Sequence, residues 1–131
     1  MTARGYARSV ILCVDDHSDG LELRKQVLER AGYKTLVTTS ARKALELFRG
    51  NHVDLVLTEH MAPAMLAGHT LAAVMKMLKP RVPVAILSAD MAESPDDMRL
   101  ADMFITKLAP VDEFLRTVEL LLYGSPVALA A

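Results

Sequence analysis

Five short apolar runs alternate along the chain with stretches of helical periodicity, and this alternation limits the possible folds more than any other feature. The runs cover residues 9–14, 34–38, 53–58, 82–88 and 103–106. Strands that are buried on both faces of a parallel sheet have near-continuous apolar runs of this kind. Five alternations of strand and helix therefore predict an α/β fold, a parallel sheet with helices on both faces.

Start and stop signals for helices lie between the runs. Ser18 or Asp19 can cap the first predicted helix, and Gly32 can end it in the left-handed conformation. Ser40 can cap the second helix, and Pro110 can open the last. The sequence between the fourth and fifth runs has a helix start at 94–97 but room for only two turns, to about residue 101. The predicted fold therefore has a shortened fourth helix.

Bulk properties narrow the class of protein. The chain has 131 residues, which suits one domain with a substantial core. Its formal net charge of −1 gives no indication of a nucleic-acid partner or an acidic membrane surface. No apolar run reaches the ~18 residues that a membrane span needs, so we expect a cytoplasmic protein that is not attached to a membrane. The single cysteine, Cys13, lies within an apolar run and is expected to be a buried, inert thiol.

Polar side chains stand where four of the apolar runs end. Asp15 and Asp16 follow the first run, Glu59 the third, Ser88 the fourth and Lys107 the fifth. The carboxyl ends of parallel strands share one edge of the sheet, so these side chains are expected to converge. Clustered carboxylates repel one another unless one takes up a proton or a cation neutralises them. Mg²⁺ prefers carboxylate and carbonyl oxygens, and a lysine supplies a point charge for a phosphoryl group or for a carboxylate.

These residues, with the segment Leu55-Val-Leu-Thr-Glu and the proline four residues after its acid, resemble a response-regulator receiver domain. The likeness spans about residues 8–123 and divides the chain into an N-terminal extension (1–7), the receiver domain (8–123) and a C-terminal tail (124–131). The resemblance implies the CheY-like, flavodoxin-like (βα)5 fold, with a doubly wound five-stranded parallel sheet. It also implies a role in two-component signalling, in which a phosphorelay passes a phosphoryl group to the receiver.

The resemblance also implies roles for individual residues. Asp15 and Asp16 would be the acidic pair that holds Mg²⁺, with Asp16 the more direct ligand, and Met61 would add its backbone carbonyl. Ser88 would be the hydroxyl that follows the phosphoryl group, and Lys107 the cation that contacts that group. Phe104, three residues before the lysine, occupies the place of the aromatic switch residue. It lacks the hydroxyl of the tyrosine often found there, so it can act only as bulk, and a static core phenylalanine is the alternative.

Several features depart from the family pattern. The phosphoacceptor of the family is an aspartate at the end of the third strand, and this chain has Glu59 there. The family lysine is followed directly by a cis proline, whereas two residues separate Lys107 from Pro110, so no cis peptide is expected here. The shortened fourth helix changes a face on which many receivers bind partners or dimerise. We therefore expect an atypical receiver.

The substitution at Glu59 has a physical consequence. Its carboxylate reaches roughly 1.5 Å further than that of aspartate, toward the place of the phosphoryl group. Phosphoryl transfer depends on positioning, and an error of about 1 Å can cost on the order of 10²-fold in rate. Glu59 is therefore expected to be a poor acceptor, either a permanent mimic of the phosphorylated state or the result of drift in an unused site. His60 is the only histidine that we expect near this site; it is expected to face solvent, and metal ligation is the alternative. Mg²⁺ binding is expected to be weak or absent.

Three classes of function were compared. A non-enzymatic signalling module would act by contact with a sensor histidine kinase or another signalling protein, and could form a homodimer. A Mg²⁺-dependent phosphohydrolase would use the same carboxylate edge, but it would need a competent nucleophile and segments that close over the substrate. A nucleotide or flavin binder is disfavoured, because residues 15–18 would meet phosphate with negative charge and no glycine-rich loop follows the first strand. The sequence favours the signalling module.

Overall fold

The computed structural model describes residues 8–59, 68–89 and 101–124, without the side chains of 68–70. The strands within these residues are β1 (Val10–Val14), β2 (Lys34–Thr38), β3 (Leu55–Glu59), β4 (Val84–Ser88) and β5 (Met103–Thr106). The helices are α1 (Ser18–Arg30), α2 (Ala41–Gly50), α3 (Gly68–Leu78) and α4 (Val111–Tyr123). The shortened helix expected from residue 94 lies outside the described residues except for its end at Ala101.

The five described strands form one parallel sheet in the order β2-β1-β3-β4-β5. The chain moves from β1 outward to β2, and then returns past β1 to β3 and onward to β5. Because such crossovers are right-handed, this reversal puts helices on both faces of the sheet. The predicted doubly wound α/β fold is confirmed.

Each face of the sheet has its own apolar cluster, because successive side chains of a strand point to opposite faces. One cluster joins α2 and α3 to the sheet, and the other joins α1 and α4 to it. The first contains, among others, Leu12, Val14, Phe48, Val56, Met75, Ile86 and Phe104. The second contains, among others, Ile11, Cys13, Leu28, Leu57, Leu87, Ile105 and Val118.

Three of the predicted helix signals are used, at Ser40, at Gly32 and at Pro110, which directly precedes α4, and one prediction was wrong. Ser40 Oγ accepts the backbone N–H of Lys43 at 3.2 Å and caps α2, and Gly32 has a φ of 101° after the end of α1. The cap of α1 is neither Ser18 nor Asp19 but His17, which makes no side-chain capping hydrogen bond. The chain turns there because Asp15 Oδ1 accepts the backbone N–H of His17 at 2.9 Å.

Strand boundaries differ slightly from those predicted. The second and fifth strands match, whereas β1 begins one residue later, and β3 and β4 each begin two residues later. The predicted third strand ended at Thr58, but β3 includes Glu59 as its last residue. Apolar residues before a strand resemble those within it, so the pattern alone does not mark where hydrogen bonding begins. As expected, the described residues contain no cis peptide bond.

Two aspartates at the amino ends of the strands fix the register. Asp54 Oδ2 accepts the N–H of Val10 at 2.8 Å, while the N–H of Asp54 donates to the carbonyl of Val10 at 2.8 Å. Asp102 and Val84 make the same reciprocal pair, at 2.7 Å and 2.8 Å. These contacts align β1 with β3 and β4 with β5, which determines the level at which each strand ends on the opposite edge.

Cys13 is fully buried, as expected, and burial raises the pKa of its thiol to about 12. We expect the native protein to resist alkylation by iodoacetamide from about pH 7 to about pH 9, because the thiolate is the reactive form. Mass spectrometry after timed alkylation would measure this, with the protein in guanidinium as the reactive control. Native alkylation at the rate of an exposed thiol would contradict the prediction.

Among the described helices, none has the length and apolar character needed to cross a membrane. The proposed extension 1–7 and all of the tail except Gly124 lie outside the described residues.

Candidate functional site

Three charged side chains meet at the carboxyl edge of the sheet. Val14 pairs with Thr58, so Asp15 and Glu59 follow at the same level of neighbouring strands. Lys107 follows β5, and its N–H donates to the carbonyl of Ser88 at 2.8 Å. Strand alternation directs Asp15, Glu59 and Lys107 to the side of the sheet covered by α1 and α4, because each lies two residues beyond a side chain buried on that side.

The ammonium of Lys107 lies between two carboxylates from different strands. Its Nζ is 2.6 Å from Glu59 Oε1 and 3.1 Å from Asp15 Oδ2. Both carboxylates are nearly inaccessible to solvent, with side-chain exposures of 7% for Glu59 and 1% for Asp15. Charge-assisted hydrogen bonds of this length, shielded from water, are stronger than those between neutral groups. Lys107 therefore neutralises part of a buried acidic cluster.

Asp15 is the most completely paired acid of the cluster. Its Oδ1 accepts the backbone N–H of His17, and its Oδ2 accepts from Lys107 and, at 3.3 Å, from Nη1 of Arg24. Burial of Asp15 opposes its ionisation, but the hydrogen bonds from His17 and Lys107 outweigh burial and hold the pKa of this carboxyl below its usual range. Asp15 is therefore ionised at neutral pH.

The same surroundings shift the pKa of Glu59 in the opposite direction, upward. Burial raises the pKa of its carboxyl, and the neighbouring Asp16 and Asp15 carboxylates raise it further, against the lowering effect of Lys107. Only Oε1 of Glu59 is engaged by Lys107; Oε2 is buried and has no hydrogen-bond partner within the described part of the chain. Glu59 is thus more ready than Asp15 to accept a proton or a second cation.

His17 belongs to this site, and the prediction that His60 alone among the histidines lies near it was wrong. His17 Nδ1 is 3.2 Å from Asp15 Oδ1, 2.9 Å from Asp16 Oδ1 and 3.2 Å from Glu59 Oε1. The hydrogen bond to Asp15, with the charges of Asp16 and Glu59, raises the pKa of the imidazole. His60 lies outside the described residues.

The sequence contains signals for two site residues that the prediction missed, His17 and Arg24. His17 directly follows the acidic pair, and Arg24 lies seven residues further along α1, about two turns, on the same helix face. A search of that face for charged side chains would have indicated both residues. The position of His17 beside the carboxylates depends on the residue at which α1 begins. The predicted caps, Ser18 and Asp19, did not give that residue correctly.

The remaining predicted residues lie in different surroundings. Ser88 is buried at the end of β4. Phe104 is also buried, but in the apolar cluster that joins α2 and α3 to the sheet, on the face opposite the acidic cluster. Met61, predicted to offer a backbone carbonyl, lies outside the described residues.

Four side chains could hold a metal ion: Asp15, Asp16, His17 and Glu59 place their ligand atoms within 4.8 Å of one another. Asp16 Oδ1 and Glu59 Oε2 are buried and accept no hydrogen bond within the described residues, although His17 Nδ1 lies 2.9 Å from Asp16 Oδ1, and this fits an oxygen-binding cation. Lys107 already neutralises Asp15 and one oxygen of Glu59, so the charge left for a cation is smaller than three free carboxylates would offer.

A groove of about 310 Å³ adjoins the cluster between α1 and α4. Its walls combine site residues such as Asp15 and Lys107 with apolar side chains, including Val27 and Phe114. Leu23 and Val111 at its rim are 64% and 55% exposed. The charged site therefore opens beside apolar surface.

Comparison with known proteins gives one family. The model described as the response regulator receiver domain matches residues 11–119. The polar-differentiation response regulator DivK of Brucella ovis is 28% identical over 118 residues, which cover 83% of this chain and 92% of DivK. The autoinducer 1 sensor kinase/phosphatase LuxN of Vibrio campbellii is 33% identical over 88 residues, 67% of this chain. The chain spans only 10% of the length of LuxN.

Solved structures agree with this comparison. The response regulator TrrA of Thermotoga maritima, crystallised with Mg²⁺ and BeF, superposes with a TM-score of 0.81 and 28% sequence identity. The match covers 87% of this chain and 99% of TrrA.

Proposed function

The chain belongs to the response regulator receiver domain family, and we propose that it is an atypical receiver that signals by protein–protein contact without phosphorylation of Glu59. Glu59 occupies the phosphoacceptor position in this proposal, and residues 8–123 form the receiver domain. The carboxylate of Glu59 acts as a permanent substitute for the phosphoryl group toward Lys107.

The observation that carries this proposal is the 2.6 Å contact between Lys107 Nζ and Glu59 Oε1. In the family resemblance, Lys107 is the cation that contacts the phosphoryl group. Here that cation is already bound by a carboxylate of the chain itself. The extra methylene of glutamate, with its reach of roughly 1.5 Å, brings the carboxylate closer to Lys107 than an aspartate on the same backbone would. The buried Phe104 supports the same state, because an aromatic switch residue turned inward contributes bulk to the core.

The pairing also argues against phosphorylation of the wild type. To accept a phosphoryl group, Glu59 would first have to separate from Lys107. Its carboxylate would then have to attack the donor in a site whose geometry suits a shorter side chain. Misplacement by about 1 Å costs on the order of 10²-fold in rate. Lys107 therefore keeps its place beside the acid without a phosphoryl group to bind.

Mg²⁺ binding would use Asp15 and Asp16, with Met61 offering its backbone carbonyl. A bound Mg²⁺ supplies charge neutralisation during phosphoryl transfer. Since Lys107 and Arg24 already contact Asp15, we propose that Mg²⁺ binds more weakly here than in a receiver whose acids are free.

An enzymatic role is not favoured. Receiver domains are generally non-catalytic signalling domains, and a phosphohydrolase on this edge would need a free nucleophile where Glu59 is held by Lys107. We propose a sensor histidine kinase or another signalling protein as the partner, a cytoplasmic location, and contact through the apolar rim beside the site. A homodimer is an alternative arrangement for the same module.

The direct test is incubation of the wild type with Mg²⁺ and acetyl phosphate, followed by intact-mass spectrometry. We expect no gain of a phosphoryl group, and a receiver with an aspartate acceptor serves as the reagent control. A stoichiometric gain that maps to Glu59 would show a working receiver and would contradict the proposal.

A further inference from the structure

His17 makes more contacts than an imidazole can satisfy by hydrogen bonding. Its Nδ1 lies 2.9 Å from Asp16 Oδ1 and 3.2 Å from one oxygen each of Asp15 and Glu59. A ring nitrogen carries at most one hydrogen, so it cannot donate fully to three carboxylate oxygens. One nitrogen therefore stands at the centre of a group of anionic oxygens that it cannot satisfy as a donor.

Two buried oxygens in the same group have no hydrogen bond from any described residue: Asp16 Oδ1 and Glu59 Oε2. The Glu59 side chain is only 7% exposed, so water has little access to replace the missing hydrogen-bond donor. A buried, unpaired carboxylate oxygen is costly, and a coordinating cation removes that cost. Glu59 can bind two cations at once, because Lys107 engages Oε1 and leaves Oε2.

The spacing of these atoms suits a coordination shell. Ligand atoms at ~2.0–2.2 Å from a small divalent metal, in tetrahedral or octahedral arrangement, lie about 3–3.5 Å from one another. His17 Nδ1 lies 2.9 Å from Asp16 Oδ1 and 3.2 Å from Glu59 Oε1, both close to that range, and Oε2 is the second oxygen of the same Glu59 carboxylate. Asp15 is the weaker candidate ligand, because both of its oxygens already accept other hydrogen bonds.

We propose that Asp16, His17 and Glu59 form a binding site for a divalent transition metal such as Zn²⁺, in preference to Mg²⁺. Imidazole suits zinc, nickel and copper, whereas Mg²⁺ takes oxygen ligands almost exclusively. A histidine directly after the acidic pair therefore changes the donor set of a receiver from oxygen alone to oxygen and nitrogen. The inference rests on the proposed function in one respect: Glu59 is a permanent carboxylate and stays unphosphorylated.

The test is isothermal titration of metal-free protein with Zn²⁺ and, separately, with Mg²⁺. We expect one Zn²⁺ to bind per chain, with an affinity at least about tenfold above that for Mg²⁺. His17→Ala should weaken zinc binding by ~10–100-fold, which is at least the effect of losing a residue that only supports a ligand. His17 is 71% exposed and makes no side-chain cap bond, so this variant should fold normally.

His52→Ala is the matched control. His52 is also exposed, and its Nε2 lies 2.7 Å from Asp54 Oδ1 at the opposite edge of the sheet. It thus tests whether any surface histidine beside an aspartate would bind zinc. Substitution of Co²⁺ for Zn²⁺ provides a second measurement, because its visible absorption spectrum should change in His17→Ala and not in His52→Ala.

Unchanged zinc affinity in His17→Ala, equal loss in His52→Ala, or no zinc binding by the wild type would each overturn the proposed metal site. Glu59→Gln is a second variant that keeps the side-chain shape, and zinc binding as tight as in the wild type would also overturn it. None of these outcomes would change the result of the phosphorylation test. Phosphorylation of the wild type is measured by intact-mass spectrometry and does not depend on the zinc titration. The two proposals can therefore fail separately.

Discussion

A Glu59→Asp variant is expected to gain one phosphoryl group from acetyl phosphate in the presence of Mg²⁺, whereas the wild type gains none. Aspartate withdraws the carboxylate by one methylene, roughly 1.5 Å. This releases Lys107 from its contact of 2.6 Å and opens the space in which a phosphoryl group would lie. Since misplacement by about 1 Å costs on the order of 10²-fold, the variant should change from no detectable product to stoichiometric product.

Intact-mass spectrometry of both proteins, side by side, measures this change. Glu59→Asn is the matched control, because asparagine has the size of aspartate but cannot act as the nucleophile. If the Glu59→Asp variant gains no phosphoryl group, like the Glu59→Asn variant and the wild type, the prediction is wrong. The longer spacing between Lys107 and Pro110 would then be implicated in disabling the site as well.

Replacement of Lys107 by methionine is expected to destabilise the fold by about 2–3 kcal/mol. Breaking a buried ion pair typically costs ~3–5 kcal/mol, and a smaller value applies because Lys107 is about a quarter exposed. The loss arises because Asp15 and Glu59 remain buried together, with Asp16 beside them, without the ammonium that Asp15 and Glu59 share. Urea unfolding monitored by circular dichroism would measure the change.

A double-mutant cycle identifies the cause of that loss. Adding Glu59→Gln to Lys107→Met removes one of the repelling charges, so about 1 kcal/mol or more should be recovered. Lys25→Met is the control, since Lys25 pairs with the exposed Glu29 at 3.4 Å and should cost at most about 0.5 kcal/mol. Equal losses for the two lysine variants would show that burial of the cluster contributes nothing to stability.

The sequence was sufficient for the fold because the three central strands, β1, β3 and β4, are buried on both faces. Leu12, Leu57 and Ile86 are fully buried within their strands, and an apolar run with a polar residue at its end is the direct result of such burial. The meeting of Asp15, Glu59 and Lys107 was predictable for the same reason. Parallel strands of similar length end at one level, so residues at the strand ends are brought together by topology alone.

The partner of each oxygen was not predictable. Lys107 has two carboxylates within reach, and its 2.6 Å contact with Glu59 depends on side-chain geometry that strand periodicity does not describe. His17 was missed because Ser18 and Asp19 are better capping residues, yet the turn made by Asp15 begins α1 one residue earlier. Local propensity ranked the caps correctly in isolation, but the turn that Asp15 makes with the N–H of His17 at the end of β1 determined where the helix begins.

The strand order has a further consequence for how the molecule assembles. β1 and β3 are neighbours, whereas β5 lies at the sheet edge, two strands from β3 and three from β1. Asp15 and Lys107 are 92 positions apart in sequence. A partly folded chain without β5 thus brings the carboxylates together before their ammonium arrives. Contacts between distant parts of a chain form slowly, so docking of the edge strand both completes the sheet and relieves the repulsion within it. Transient opening of that edge would expose the acidic cluster without its lysine, which couples the local stability of β5 to the charge balance of the site.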